Sequence, residues 1–409
     1  MRELIRDYRK LHPAILNLIL AEFFLQLINS SFLAILPLYM RNEGYHDGEI
    51  ANYTSYRYIG VLVLALSVGL YIKGRKVKPL FYISAFCVPL FGTLILIGVH
   101  LHDPWLNYSS QISWGATFTL MQIPVIPFIL RNCEPEEHTG AISLSYATFA
   151  LSSIAGSTLI TLLNGKWPEI FSERVLLHGI CGLGFLSFFF VARMRITERV
   201  PGMAKSRTNI SDFDWGLITR ALIPTLILAV GAGFTIPFIS LFFEAVHGLK
   251  TSQFTLTNLI ASILIATCAI YVPLIKKKLG YRIAIPTTQS FAILALVLMA
   301  TTQLYAGDPS AVWIAIVCYT LRQPLMNMAG PMTTDVVMGY VGKRNQEMVS
   351  ALTASIWSGA WYFSGKLFGN LRDMNIKYVY IFMITAALYS VGVVWYYFLV
   401  KQYEKKNGL

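Results

Sequence analysis

Charge is what this chain has least of. Only 13% of its 409 residues are Asp, Glu, Lys or Arg, about half the share found in an ordinary soluble domain. Hydrophobic residues make up 55% and the mean hydropathy is +0.57. That balance excludes a soluble enzyme, and the apolar content excludes a disordered chain. Cysteine is scarce too. Cys87, Cys133, Cys181, Cys268 and Cys318 lie far apart, mostly inside apolar runs, and form no CxxC pair. Neither a disulfide framework nor a metal site is expected. The chain also lacks a GxxxxGK[ST] phosphate loop, an HExxH pair and any Ser/His/Asp arrangement. No ATP-driven step, no catalytic residue and no cofactor are therefore expected. No cleavable leader is expected either, because the apolar run after MRELIRDYRK is longer than a signal-peptide core.

What the chain has in quantity is apolar sequence of membrane-crossing length, about 20 residues per helix. Such runs fall at 14–39, 51–72, 79–100, 110–131, 140–163, 174–194, 216–243, 252–275, 282–302, 309–334, 346–369 and 377–400. One long polar stretch interrupts them, near the midpoint. The predicted fold is an all-α integral membrane protein with twelve transmembrane helices. Two pseudo-symmetric six-helix bundles (1–194 and 216–409) flank a cytoplasmic linker at 195–215. Lys and Arg set the orientation, since they collect on cytoplasmic loops. With the N-terminus inside, 23 basic residues lie on the cytoplasmic side and seven opposite, leaving Arg57, Arg220 and Arg322 within the runs. Both termini are then cytoplasmic. The net charge of +12 reads as this bias, with the lipid bilayer as partner and no nucleic acid.

A repeat at about half the chain length supports the two bundles. HDGEIANYTS offers Asp47 as a helix N-cap with Glu49 behind it, and LKTSQFTLTN offers Thr251 or Ser252 with Gln253, about 204 residues later. The loop GLYIKGRKVK (69–78) is matched by PLIKKKLGYR (273–282), and Pro124 by Pro324. These features resemble the major facilitator superfamily, whose signature loop G-x-x-x-D-R/K-x-G-R-R/K has a weaker second copy. Gly69, Lys73, Gly74, Arg75 and Lys76 fit the first copy with compressed spacing, and Lys278, Gly280 and Arg282 fit the second. The acidic residue of the signature is missing, with Tyr71 and Ile72 in that stretch. The resemblance implies that these loops gate transport, although the missing acid argues against the usual charge relay. It also implies that the first, fourth, seventh and tenth helices line a central cavity.

A charge in the hydrocarbon region is costly unless paired, so such residues are candidate functional groups. Glu22 heads a stripe with Gln26 and Asn29 at i, i+4 and i+7 in the first run. Arg322 sits mid-way along the tenth run, with Thr320, Gln323 and Asn327 around it, and Thr119 and Gln122 lie in the fourth. Under the resemblance all of these face the cavity. Glu22 is read as the proton-coupling group. Arg322 is read as binding an anionic group or clamping Glu22, with Gln26, Asn29, Gln122, Gln323 and Asn327 as further substrate contacts. Arg57 either binds substrate, snorkels outward or pairs with Asp47 or Glu49, near interfacial Tyr53, Tyr56 and Tyr58. Thr353, Trp357 and Trp361 share one face of the eleventh run, and the tryptophans offer a wall for a substrate. Gly231, Gly233 and Pro237 near Thr235, and Gly156 among Ser152, Ser153 and Ser157, suit helices that bend and approach closely. His100, His102 and Asp103 read as a solvated loop, and Asn52 and Asn107 stand in glycosylation sequons.

The resulting expectation is a secondary transporter, not an enzyme. It moves a small organic solute, anionic or zwitterionic, by alternating access with protons, as a monomer in a bacterial inner membrane. Efflux antiport and uptake symport both stand, although 145–158 (SYATFALSSIAGST) lacks the proline of the family's antiporter motif. A non-transporting receptor is the remaining alternative.

Overall fold

The computed structural model describes residues 12–72, 75–133, 135–198, 213–342 and 344–407. Lys73 and Gly74, and residues 199–212 of the linker, lie outside the described residues. Among the described residues all regular structure is helical. Before the linker come α1 (Pro13–Asn42), α2 (Asp47–Tyr71), α3 (Lys78–His100), α4 (Pro104–Asn132), α5 (Pro135–Lys166), α6 (Glu173–Gly184) and α7 (Leu186–Arg193). After it come α8 (Trp215–Thr235), α9 (Ile239–His247), α10 (Thr251–Thr301), α11 (Pro309–Val341), α12 (Gln346–Asp373) and α13 (Tyr378–Asn407).

Nine helical stretches among the described residues are long and apolar enough to cross a membrane. α11 and α12 are long enough, at 33 and 28 residues, yet fall outside that set. Their polar side chains are the reason: Arg322, Gln323, Asn327 and Asp335 on α11, Lys366, Arg372 and Asp373 on α12. α2, at 25 residues, carries Asp47, Glu49 and Arg57. A helix satisfies its own backbone, so it tolerates such residues where they face protein rather than lipid.

The chain divides into two compact units, Met1–Gly44 with Tyr56–Arg207, and Tyr45–Ser55 with Thr208–Leu409. The opening turns of α2 therefore group with the second unit. In the first unit α1 is the hub and packs on α3, α4, α5, α6 and α7. Its Leu18, Ala21, Leu25, Ile28, Phe32 and Ile35 are fully buried, at the three- and four-residue spacing of one helix face. Small residues on its neighbours admit this stripe. A methyl on Gly184 would overlap Ile28, and one on Gly156 would press the Ser31 hydroxyl.

In the second unit α8 packs against α12 and α13, and α10 against α11 and α13. Hydroxyls clasp these helices: Ser364 Oγ donates to the Val230 carbonyl at 2.9 Å, and the Thr235 and Thr385 hydroxyls meet at 2.8 Å. α8 stops at Thr235, and a 3-10 turn, Ile236–Phe238, leads into α9. Pro237 lies in that turn, where its missing N–H removes an α-helical bond. The bend expected from Gly231, Gly233 and Pro237 takes this form.

The two outer helix starts use one device at one offset. Glu49 Oε2 accepts the His46 N–H at 2.9 Å, and Gln253 Oε1 accepts the Lys250 N–H at 2.9 Å, each being half of a capping box. Asp47 is not the cap the sequence suggested. Its carboxylate instead accepts Arg372 Nε–H at 2.8 Å and the Tyr378 hydroxyl at 2.5 Å, while Lys366 Nζ donates to Asn52 Oδ1. The helix begins at Asp47 itself, so the residue stands at the first helical position, and its carboxylate is turned to α12 and α13.

The basic loops are held differently. In the first, Arg131 Nη2 donates to the Ile72 carbonyl at 2.9 Å and Nη1 to that of Arg75 at 3.2 Å. Glu198 accepts the Val77 and Lys78 amides at 2.7 and 2.9 Å. Gly69 is half-buried, and Arg75 and Lys76 are exposed. In the second, Lys276 Nζ and the Tyr281 hydroxyl donate to Asp335 Oδ2 at 2.8 and 2.5 Å. Arg282 Nη2 donates to the Tyr397 hydroxyl at 3.2 Å, and Lys278 is exposed. Gly280 breaks α10 here with φ 67° and ψ 171°.

Two outcomes follow. Gly280 occupies backbone space essentially closed to residues with a Cβ, so Gly280→Ala should lose roughly 1–3 kcal/mol, read as a lower melting temperature of the purified chain. Nothing lies within 4 Å of the added methyl, so the loss is backbone strain rather than a clash. The Asp335 carboxyl is held below its ordinary range by the Lys276 hydrogen bond first and that of Tyr281 second. A lowered folded-state value stabilises above the unfolded value, near 3.9, and that contribution disappears as pH falls through and below it. The side chains are 44% and 58% exposed, so the effect is below about 1 kcal/mol. Unfolding at pH 7 and pH 3 should show it, and Asp335→Asn should abolish this part of the difference.

Candidate functional site

The polar stripe on α1 is buried within the first unit. Glu22 is 4% exposed and Gln26 6%. Ser145 of α5 donates its hydroxyl to Glu22 Oε2 at 2.7 Å. Gln122 of α4 stands beside the carboxyl, with its Nε2 short of hydrogen-bond geometry to any partner. Asn29 Nδ2 donates to Gln26 Oε1 at 3.0 Å, so those two residues form one amide pair. Among the described residues no cation of the first unit pairs with Glu22. Ser145 was not singled out in the sequence. The available signal was its seven-residue spacing from Ser152, whose hydroxyl donates to the Phe23 carbonyl at 2.9 Å. Both serines lie on the α5 face turned to α1. Thr119 turns its hydroxyl to its own helix at the Gly115 carbonyl, 2.8 Å away, and adds nothing to the site.

Arg57 neither snorkels nor pairs with Asp47 or Glu49. Those carboxylates are engaged as described, and Arg57 is 5% exposed with its Cζ 4.7 Å from the Trp114 ring centroid. Backbone approach fixes it there, since Gly115 of α4 sits against the Arg57 carbonyl. Tyr53 is buried against Tyr45 and Tyr56 packs on Tyr108 with centroids 4.5 Å apart, so they are packing residues more than a lipid-interface belt. The sequons are corrected too: Asn107 is fully buried and Asn52 is taken by Lys366. The loop His100 and His102 bond to Glu43 at 3.2 and 3.0 Å, and Asp103 caps α4 at Trp105 N, 2.9 Å away.

In the second unit Arg322 is 1% exposed. Its Cζ lies 6.0 Å from the ring centroid of Tyr389, and its Nε and Nη2 have no hydrogen-bond partner. The Tyr319 hydroxyl one turn earlier donates to Asn258 Oδ1 at 2.9 Å. Asn327 Nδ2 returns to the Gln323 carbonyl at 2.8 Å and Asn327 is exposed. On α12 Trp357 and Trp361 pack edge to face with centroids 6.3 Å apart, and Trp357 is 38% exposed. The Thr353 hydroxyl bonds to its own helix at the Val349 carbonyl.

The arrangement thus supplies one buried carboxylate held by neutral donors, and two buried guanidiniums facing aromatic rings without a carboxylate partner among the described residues. Among the described residues no group is set up as an activated nucleophile. In each unit taken by itself, a carboxylic acid is a group that can exchange a proton and a guanidinium is one that can hold an anion.

Known proteins share this architecture. The structure superposes on the nucleoside transporter NupG with a TM-score of 0.75 at 12% identity, covering 94% of this chain and 99% of that one. For a D-xylose–proton symporter the score is 0.71 at 12% identity, with 94% and 95% covered. For a bacterial homologue of the iron transporter ferroportin it is 0.72 at 13%, with 94% and 97% covered. Identities this low speak to the fold alone. No curated protein matches the chain in sequence. The family profile of the Major Facilitator Superfamily matches residues 18–365. With that match across most of the chain, on a fold shared with solved transporters, this multi-pass membrane protein belongs to the Major Facilitator Superfamily and is a small-molecule transporter rather than an enzyme.

Proposed function

We propose that the protein carries a small anionic or zwitterionic organic solute across the membrane by alternating access, coupled to protons through Glu22. The observation that carries this reading is the pairing of chemistries. Glu22 is buried with a hydroxyl and an amide for neighbours, while Arg322 is buried with two guanidinium nitrogens unpartnered. A carboxylate with neutral donors keeps both protonation states within reach, as proton exchange requires. A buried guanidinium without a counter-ion is a poor structural element and a good anion receptor. Gln122 stands beside Glu22 and Gln26 and Asn29 continue its face of α1; these three, and Gln323, Asn327, Trp357 and Trp361 of the second unit, are proposed as solute contacts. The same reading places twelve spans in two bundles, 1–194 and 216–409, with both termini cytoplasmic, as a monomer in a bacterial inner membrane. The basic loops 69–78 and 273–282 then act at the cytoplasmic gate.

Adding candidate anionic solutes to weakly buffered, purified protein should change the free proton concentration in the wild type. Glu22→Gln should remove that change while solute binding persists. Arg322→Gln should weaken binding of the same solute by about tenfold to a hundredfold, the worth of one charge-assisted bond. Equal proton movement in the wild type and Glu22→Gln would move the coupling to another group.

A further inference from the structure

α2 and α4 run in parallel within the first unit, with Tyr56 against Tyr108. Their backbones touch. A methyl on Gly60 would overlap the Ile112 carbonyl, and one on Gly115 the Arg57 carbonyl. This contact holds Arg57 in place without a counter-ion, its guanidinium 4.7 Å from the Trp114 centroid and 6.0 Å from that of Tyr58. Trp114 is itself fixed between Phe32 and Phe118, near-parallel rings at 6.1 and 5.0 Å.

Gln111 and Asn107 continue the Trp114 face of α4 toward the helix start, at steps of three and four residues. Both are fully buried. Six side-chain atoms on this wall have no hydrogen-bond partner: Arg57 Nε, Trp114 Nε1, and the nitrogen and oxygen of both amides. Each unmet buried polar group is destabilising, and an unpaired buried cation more so. Elsewhere in the unit Glu22, Asn29 and Thr119 find partners, while the unpartnered Ser31 Oγ, Ser84 Oγ and Gln122 Nε2 are single atoms rather than a cluster of six. The wall's polar groups are therefore poor as structure and well matched to a ligand. At about 1.5 Å per residue, Asn107, Gln111 and Trp114 lie about 5, 10 and 15 Å into α4, so the amides make a polar track from the helix start to the guanidinium.

We propose that Arg57, Trp114, Gln111 and Asn107 form a binding site for a small hydroxycarboxylate. The carboxylate accepts from Arg57 Nε–H and Trp114 Nε1–H, both of which can only donate. The hydroxyl groups donate to the amide oxygens of Gln111 and Asn107 and accept from their nitrogens. An ammonium group fits less well, because no carboxylate on this wall offsets its repulsion by Arg57. Trp114 and Gln111 were not among the residues singled out in the sequence, and Asn107 was noted only as a sequon. The inference rests on the transport reading only in taking this ligand to be the solute carried.

The test is equilibrium dialysis of the purified full chain against radiolabelled lactate and gluconate, with unlabelled sorbitol as the uncharged counterpart of gluconate. Saturable binding is expected, undisturbed by a hundredfold excess of sorbitol. Arg57→Gln should abolish it. Trp114→Phe keeps the ring stack but loses the N–H donor, and should weaken binding about tenfold. Gln111→Leu should weaken gluconate, with five hydroxyls, more than lactate, with one. If Arg57→Gln does not fold, Trp114→Phe and Gln111→Leu carry the test. In the ultraviolet resonance Raman difference between wild type and Trp114→Phe, the indole N–H band should shift on adding gluconate. No binding of either acid, displacement by sorbitol, or full binding in the Arg57 and Trp114 variants overturns the site. Proton coupling intact with these variants silent would sink this site alone. Binding here with no proton change in any variant would sink the coupling reading alone.

Discussion

Ionisable side chains are too costly in hydrocarbon to be scattered, and the structure follows from where its few are placed. A membrane helix satisfies its own backbone, so the remaining polar problem lies in the side chains. On α2 they are Asp47, Glu49 and Arg57, on α11 Arg322 and Asp335, and on α12 Lys366, Arg372 and Asp373. Arg57 and Arg322 keep guanidinium nitrogens unpartnered. Asp47 is answered at once by Arg372 and Tyr378. The first kind of placement favours a ligand, and the second favours a fixed structure.

The rest of the architecture makes room for that placement. Glycine and serine bring the helices close enough for backbone to touch backbone, as at Gly60 and Gly115 between α2 and α4. The same closeness aligns Arg57 with Trp114, so the packing and the candidate site are one feature seen at two scales. In the second unit close approach is combined with a break. α8 yields to a 3-10 turn at Pro237 directly after the Thr235–Thr385 clasp, and the break falls next to its anchor.

Internal symmetry survives where it is local. Glu49 and Gln253 make the same bond to the amide three residues before them, 204 positions apart, although one is a carboxylate and the other an amide. The basic loops have diverged more. Arg131 and Glu198 hold the first through backbone groups, whereas the second uses Asp335 on a neighbouring helix. The missing signature acid in the first loop is thus met by groups from elsewhere in the unit. Degenerate spacing at 69–78 made the loop hard to read as a motif.

Much of this protein was legible in its residues. Apolar run length identified a helical membrane protein, because it is summed along the chain and needs no knowledge of partners, and the half-length repeat with its paired basic loops carried the resemblance to a transporter family. The Glu22, Gln26, Asn29 stripe was legible for the same reason, since helix periodicity is local. Partners were not legible. Ser145 meets Glu22 across 123 positions, and Arg372 meets Asp47 across 325. Arg57 looked like a residue free to reach solvent until the α2–α4 crossing buried it against Trp114. Asn107, a sequon by pattern, became an unpartnered amide inside the unit. Sequence by itself determined which residues cannot face lipid, because transfer cost belongs to each side chain. Only the tertiary structure decided which of them are satisfied and which are left open, because a hydrogen bond needs two groups within about 3 Å, and distant helices meet at that range only once they are packed.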